Sequence, residues 1–133
     1  MNVKQVVPFL HVSNMETSLH YYIDGLGFTM KNKWVVDGKV RWCWLELGGA
    51  ALMVQEFRKP LKAGGGMSLC FQADDALVLY HEFGLRGIEA SEPQVGNALW
   101  VTSLTDPDGY RLSFSSPTDT PEETKLSEVQ AAT

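Results

Sequence analysis

The sequence is poor in cysteine, in positive charge and in long apolar runs, and each shortage excludes a class of protein. Two cysteines, Cys43 and Cys70, in 133 residues do not make a disulfide scaffold and fit a reduced compartment. No apolar run approaches the roughly eighteen residues that a membrane span needs, so no membrane partner is expected. Met1 to Gln5 is polar and lacks the longer apolar region of a secretory signal, which makes the cytoplasm the expected location. Eleven basic residues stand against sixteen acidic ones, a net charge of −5. Residues 117–133 hold four of those acids and one lysine, Lys125, so this stretch carries −3 and the rest only −2. Without a basic patch to hold phosphates, nucleic acid is not an expected partner.

What is present suits one small core. A hydrophobic fraction of 44% is ordinary for a single domain of this length and needs no metal or disulfide staple. The order of patterns repeats. Residues 5–12 read as a strand, with Pro8 marking an edge or an irregular start. Asn14 is placed to cap a helix whose apolar residues Met15, Leu19, Tyr22, Ile23 and Leu26 recur at helical spacing, and Gly25 and Gly27 stop it. Strands are expected over Phe28–Val36, Lys39–Leu47 and Ala50–Phe57. They are joined by Asp37-Gly38, a hairpin dipeptide, and by Gly48-Gly49.

Lys59 to Gly66 reads as a linker, after which the series begins again. Met67–Ala73 is a strand, and Asp74 or Asp75 caps a helix that Gly84 and Gly87 close. Ile88 onward is extended, and Ala98–Thr105 and Tyr110–Ser115 are strands joined by the turn Asp106-Pro-Asp-Gly109. The helix starts at Asn14 and Asp75 lie 61 positions apart. Each half is strand, helix, then three strands. Neither could bury a sheet face well alone, so an α+β pairing of two modules is expected. The tail from Pro117 has a helix-start signal at Thr120-Pro-Glu-Glu123 but little apolar face, which predicts a marginal helix or a mobile end.

This repeat resembles the vicinal oxygen chelate superfamily of glyoxalases, bleomycin-resistance proteins and dioxygenases. The resemblance covers about residues 5–116. It is carried by Val7-Pro-Phe-Leu-His-Val12, Ser18-Leu-His-Tyr-Tyr-Ile-Asp-Gly-Leu-Gly-Phe28, Glu46-Leu-Gly-Gly49 and Asp106-Pro-Asp-Gly-Tyr-Arg-Leu-Ser-Phe114. It implies one domain over 1–116, built from two βαβββ modules at about 5–58 and 67–116 that curl into an open half-barrel cleft, with 117–133 as an acidic tail. Metal-dependent members take four ligands, mostly His and Glu, from the first and fourth strand of each module. Here those positions fall on Val7, Met53, Ser68 and Ser113, which cannot make an ordinary divalent site. The resemblance is therefore to the metal-free, bleomycin-resistance-like members, with no cofactor. It implies a small organic ligand, planar or cationic in character, and a homodimer. The alternative within the same superfamily is a lyase, isomerase or dioxygenase.

Alternation assigns the side chains to two faces. Val6, Pro8, Leu10, Val12, Leu52, Val54, Leu69, Phe71, Leu112 and Phe114 should face the helices. The other face should hold Val7, Phe9, His11, Met53, Gln55, Ser68, Cys70, Gln72, Arg111, Ser113 and Ser115, with Trp42, Trp44 and Glu46. Trp42 and Trp44 either stack a planar or cationic ligand or fill the cleft or a dimer interface. His11 is a candidate base or hydrogen-bond donor, or a structural residue. Glu46 binds a cationic group, acts as a base with its pKa raised by burial, or pairs with Arg41, Arg111 or another cation. Cys70 is a nucleophile only if His11 serves as its base, and otherwise a small filler. Trp34 and Trp100 are expected to pack, Glu56 to be a surface charge, and His20 and His81 to lie exposed on helices. Ser68 and Ser113 have no triad context, and Gly64-Gly-Gly66 is no phosphate loop.

Overall fold

The computed structural model describes residues 2–58 and 67–131. The expected linker and its glycines, 59–66, lie outside the described residues. The chain divides into two compact units, residues 1–63 and 64–133.

The first unit runs β1 (Phe9–Val12), α1 (Met15–Leu19) continued by a π-helical turn (His20–Gly25), β2 (Thr29–Val36), β3 (Lys39–Leu47) and β4 (Ala50–Glu56). Its sheet has the order β1-β4-β3-β2. β1 is parallel to β4, and the other pairs are antiparallel. Strand β1 is shorter than the expected 5–12. Pro8 has no N–H to give the ladder, although its carbonyl accepts from Met53 N at 2.9 Å, and the strand begins after it. Val6, expected on the helix side, precedes the strand and is exposed.

Asn14 caps α1 as expected, its Oδ1 accepting from Thr17 N at 3.0 Å. A second acceptor comes from across the unit. Glu56, expected as a surface charge, is half-buried, and its Oε2 accepts from Met15 N at 2.8 Å. That carboxylate satisfies a first-turn donor that has no intrahelical partner. Further along, Leu26 N donates five residues back to Tyr21 O at 2.9 Å, the wider spacing of a π turn. Ser18, Tyr22 and Gly25 are buried in consequence, while Leu19 and Ile23 are only half-buried. The Asp37-Gly38 hairpin forms as read, both residues taking the positive φ that its turn type demands, +51° and +75°.

The second unit runs β5 (Ser68–Gln72), α2 (Ala76–Leu85), β6 (Gln94–Gly96), β7 (Leu99–Thr105), β8 (Arg111–Pro117) and α3 (Leu126–Ala131). Its sheet order, β5-β8-β7-β6, repeats the first, with β5 parallel to β8. Of the two candidate caps it is Asp75 that serves, its Oδ1 accepting from Leu77 N and Val78 N at 3.0 and 3.1 Å. In the Asp106-Pro-Asp-Gly109 turn, the buried Asp106 carboxylate accepts from Asp108 N at 2.9 Å and Tyr110 N at 2.8 Å.

The C-terminal segment packs back onto this unit. Glu123 N and Thr124 O bond to Val95, Leu126 N bonds to Pro93 O, and Leu126 packs on the Ala76, Val95 and Trp100 cluster. Strand β6 would otherwise be the open edge of its sheet, and this segment covers it. Glu122 caps the β6–β7 turn, accepting from Asn97 N at 2.7 Å and Ala98 N at 3.2 Å. Both residues have positive φ, which is costly for an alanine, and the carboxylate holds their N–H groups in place.

Each core lies between its sheet and its helix. In the first unit Leu10, Val12, Tyr22, Leu26, Phe28, Cys43, Leu45, Leu52 and Val54 are buried; in the second, Ala76, Phe83, Val95, Trp100, Leu104, Leu112 and Phe114. Leu69 and Phe71 are half-buried. Ser68 is exposed and not under α2, so the register read from alternation holds.

Candidate ligand-binding site

Ladder partners point to the same face of a sheet, so the register lays out in rows the face of each sheet turned away from its helix. In the first unit one row is Trp34, Trp42, Gln55 and His11, across β2, β3, β4 and β1. The next is Asn32, Trp44, Met53 and Phe9, and beyond it lie Thr29, Glu46 and Ala51. Six of the expected residues, His11, Trp42, Trp44, Glu46, Met53 and Gln55, thus share one face, and all six are half-buried.

Glu46 is held by Trp44, which alternation put on its face without foretelling the bond between them. Trp44 Nε1 donates to its Oε2 at 2.8 Å, a charge-assisted bond that fixes both the indole and the carboxylate. Arg41, one of the cations expected to pair with Glu46, is exposed. His11 is packed among rings. Phe57 stacks on it at a centroid distance of 4.1 Å, and Phe9 meets it edge-on at 5.2 Å. Sequence reading missed Phe57, whose only signal was its place at a strand end.

Trp34 departs from expectation. It is 56% exposed at the sheet edge, directly opposite Trp42. Trp100, by contrast, is buried as expected. His20 and His81 are exposed, as read, and His20 Nδ1 lies 2.8 Å from Asp24 Oδ2.

The corresponding face of the second unit is of another character. Its rows are Ser68, Arg111 and Thr105; Cys70, Ser113 and Ser103; and Gln72, Ser115 and Val101. Ser68, Cys70 and Ser113 are therefore brought together, with hydroxyls as their main company. Cys70 is exposed, and its candidate base His11 belongs to the other unit. A groove of about 340 Å³ along the outer flank of α2, lined by Tyr80, His81, Leu85 and Ile88 among others, holds none of the expected residues.

Val7, Met53, Ser68 and Ser113 do not suit the divalent ion that metal-dependent members hold. Valine has no donor, thioether is soft, and a neutral hydroxyl is weak. Among the described residues no three His, Cys, Asp or Glu side chains gather where they could hold a metal ion.

The Glyoxalase/Bleomycin resistance protein/Dioxygenase superfamily profile matches residues 3–114. The chain belongs to that superfamily. Solved structures of the same fold include a bleomycin-binding protein complexed with bleomycin, at 20% identity and a TM-score of 0.70, covering 86% of this chain and 98% of that one. TnmS3, an antibiotic binding protein from Streptomyces sp. CB03234, is 19% identical with a TM-score of 0.68, over 89% and 99% of the two chains. A glyoxalase family protein from Bacillus anthracis is 16% identical with a TM-score of 0.70, again over 89% and 99%. No curated protein matches. Among the described residues no helix is long and apolar enough to cross a membrane.

Proposed function

We propose that this protein binds a small planar organic cation on the tryptophan-bearing face of its first sheet, without a metal and without transforming it. The observation that carries this reading is the pair Trp42 and Trp44 on one face, with Glu46 anchored by the Trp44 indole. Indole faces attract flat rings and cations, and a carboxylate beside them adds charge selectivity. The names of two relatives of this fold, a bleomycin-binding protein and an antibiotic binding protein, lend it support. A homodimer, on the strength of the family resemblance, and a cytoplasmic location complete the proposal.

Titration with flat compounds of either charge tests it. Trp42→Ala or Trp44→Ala should each weaken binding about twofold to twelvefold, the worth of roughly 0.5–1.5 kcal/mol of ring contact. Wild type should prefer cations over anions on the order of tenfold, because Coulomb attraction is screened less at a half-buried carboxylate than in water. Glu46→Gln should remove that preference. It leaves an amide oxygen for the Trp44 N–H to bond, so the fold should persist. Indifference of every compound to all three changes would assign the tryptophans to packing.

Metal is tested separately. Purified protein should carry only substoichiometric zinc, nickel, iron or manganese by mass spectrometry. Added metal should leave Tm unchanged, since a ligand that binds only the folded state would raise it. One tightly bound ion per chain would overturn the metal-free reading.

A further inference from the structure

Trp34 was expected to pack, yet its side chain is 56% exposed on the same face as Trp42. An indole left in water at a sheet edge forgoes the burial that usually accounts for a tryptophan. Strand β2 is otherwise built like a guarded edge. It carries Lys31 and Lys33 and two register shifts, at Met30/Asn32 and Trp34/Val35, features that discourage another strand from adding there. Strand addition is therefore a poor account of the exposed indole. Its neighbours on its own face are a better guide.

Trp34 and Trp42 are direct ladder partners, so their Cβ atoms stand about 5 Å apart, and Trp44 lies two residues along β3, roughly 7 Å from Trp42. Lys33 pairs with Cys43, a helix-side residue, so its ammonium belongs to the opposite face and does not repel a cation over the indoles. A single six-membered ring can cover one of these indoles. A fused tricycle can span two.

We propose that Trp34 extends the binding face into a three-tryptophan wall that selects flat cations of about three fused rings over smaller ones. This rests on the binding reading above and adds to it the size of the ligand and the residue that sets it. Trp34 enlarges the wall at its rim, where a ligand too short to pass Trp42 does not reach it.

Calorimetric titration with N-methylpyridinium, N-methylquinolinium and N-methylacridinium tests the idea. For wild type, affinity should rise along the series. Trp34→Ala should weaken N-methylacridinium by about twofold to twelvefold while leaving N-methylpyridinium within about twofold, and Trp34→Phe should restore most of the loss. An unchanged N-methylacridinium affinity in Trp34→Ala, or an equal loss for all three cations, would overturn the size-selection role. So would a variant that shifts the assembly from dimer to monomer by sedimentation while affinity holds, which would make Trp34 an interface residue. Failure of the binding reading looks different: wild type would bind none of the three, or Trp42→Ala would bind all three as wild type does.

Discussion

Replacing Phe114 with alanine is expected to destabilise the protein by about 3–5 kcal/mol, the largest effect of any single truncation considered. Phe114 lies on β8, between β5 and β7 in the sheet order, and only 1% of it is exposed. Its ring stacks on Phe71 at 4.8 Å and 11°, and meets Phe83 of α2 edge-on at 5.1 Å. The ring therefore joins the edge strand, the central strand and the helix of its unit. Truncation removes its buried area and leaves a cavity that two rigid sheet strands cannot close. Urea titration is the measurement, with a fall in midpoint at nearly constant slope. Phe114→Leu should cost far less, because much of the volume is kept. Val78→Ala on the exposed side of α2, where the residue is 50% accessible, should stay within about 0.5 kcal/mol. A loss below about 1 kcal/mol for Phe114→Ala would show that the aromatic cluster is not the centre of that core.

The two cysteines should differ in reactivity toward a thiol reagent by more than about a hundredfold. Cys43 is fully buried on the helix side of β3, and burial pushes its thiol up from about 9 to about 11. At neutral pH almost none of it is the thiolate that reacts, and reagent cannot reach the little there is. Cys70 is exposed on β5. Native protein should therefore release colour from one thiol per chain quickly, and from the second only on unfolding. Cys70→Ser should abolish the fast phase, and Cys43→Ser should leave it intact. The raised value also has a pH consequence. The neutral thiol is favoured by the fold, so its contribution is fully present below about 9 and is lost as pH rises toward about 11. Two fast thiols in the native protein would mean that the first unit opens readily around β3.

Much of the candidate face was legible because strand side chains alternate with a period of two. Cys43 and Leu45 are buried while Trp42, Trp44 and Glu46 share the other side, as the apolar and mixed positions foretold. The same rule fixed Met53 and Gln55 beside them, and Ser68, Cys70 and Ser113 together on the second sheet. Val6 fell outside the rule because Pro8 delays the ladder, so alternation counted through it has no sheet to refer to. Trp34 was misread because alternation gives a residue's facing and not its cover. Whether an indole on the edge strand is covered depends on what lies over it, and no local pattern encodes that.

The sequence by itself determined the local choices. Asn14 and Asp75 begin helices because their side chains accept the first orphan N–H groups, and Asp37-Gly38 turns the β2–β3 hairpin because both residues accept positive φ. The chain's two-fold repeat and its mixed sheet faces were also set at this level. Only the tertiary structure decided which distant groups meet. Glu56 reaches Met15 N from 41 residues away, Glu122 reaches Asn97 N from 25, and Phe57 stacks on His11. The tail, expected as a marginal helix or a mobile end, gains its place from Leu126 and from bonds to the β6 edge. Capping and turn formation depend on a few neighbouring residues and so can be read from them. Contacts across 25 to 46 residues exist only once the chain has folded and the backbone has brought their ends together.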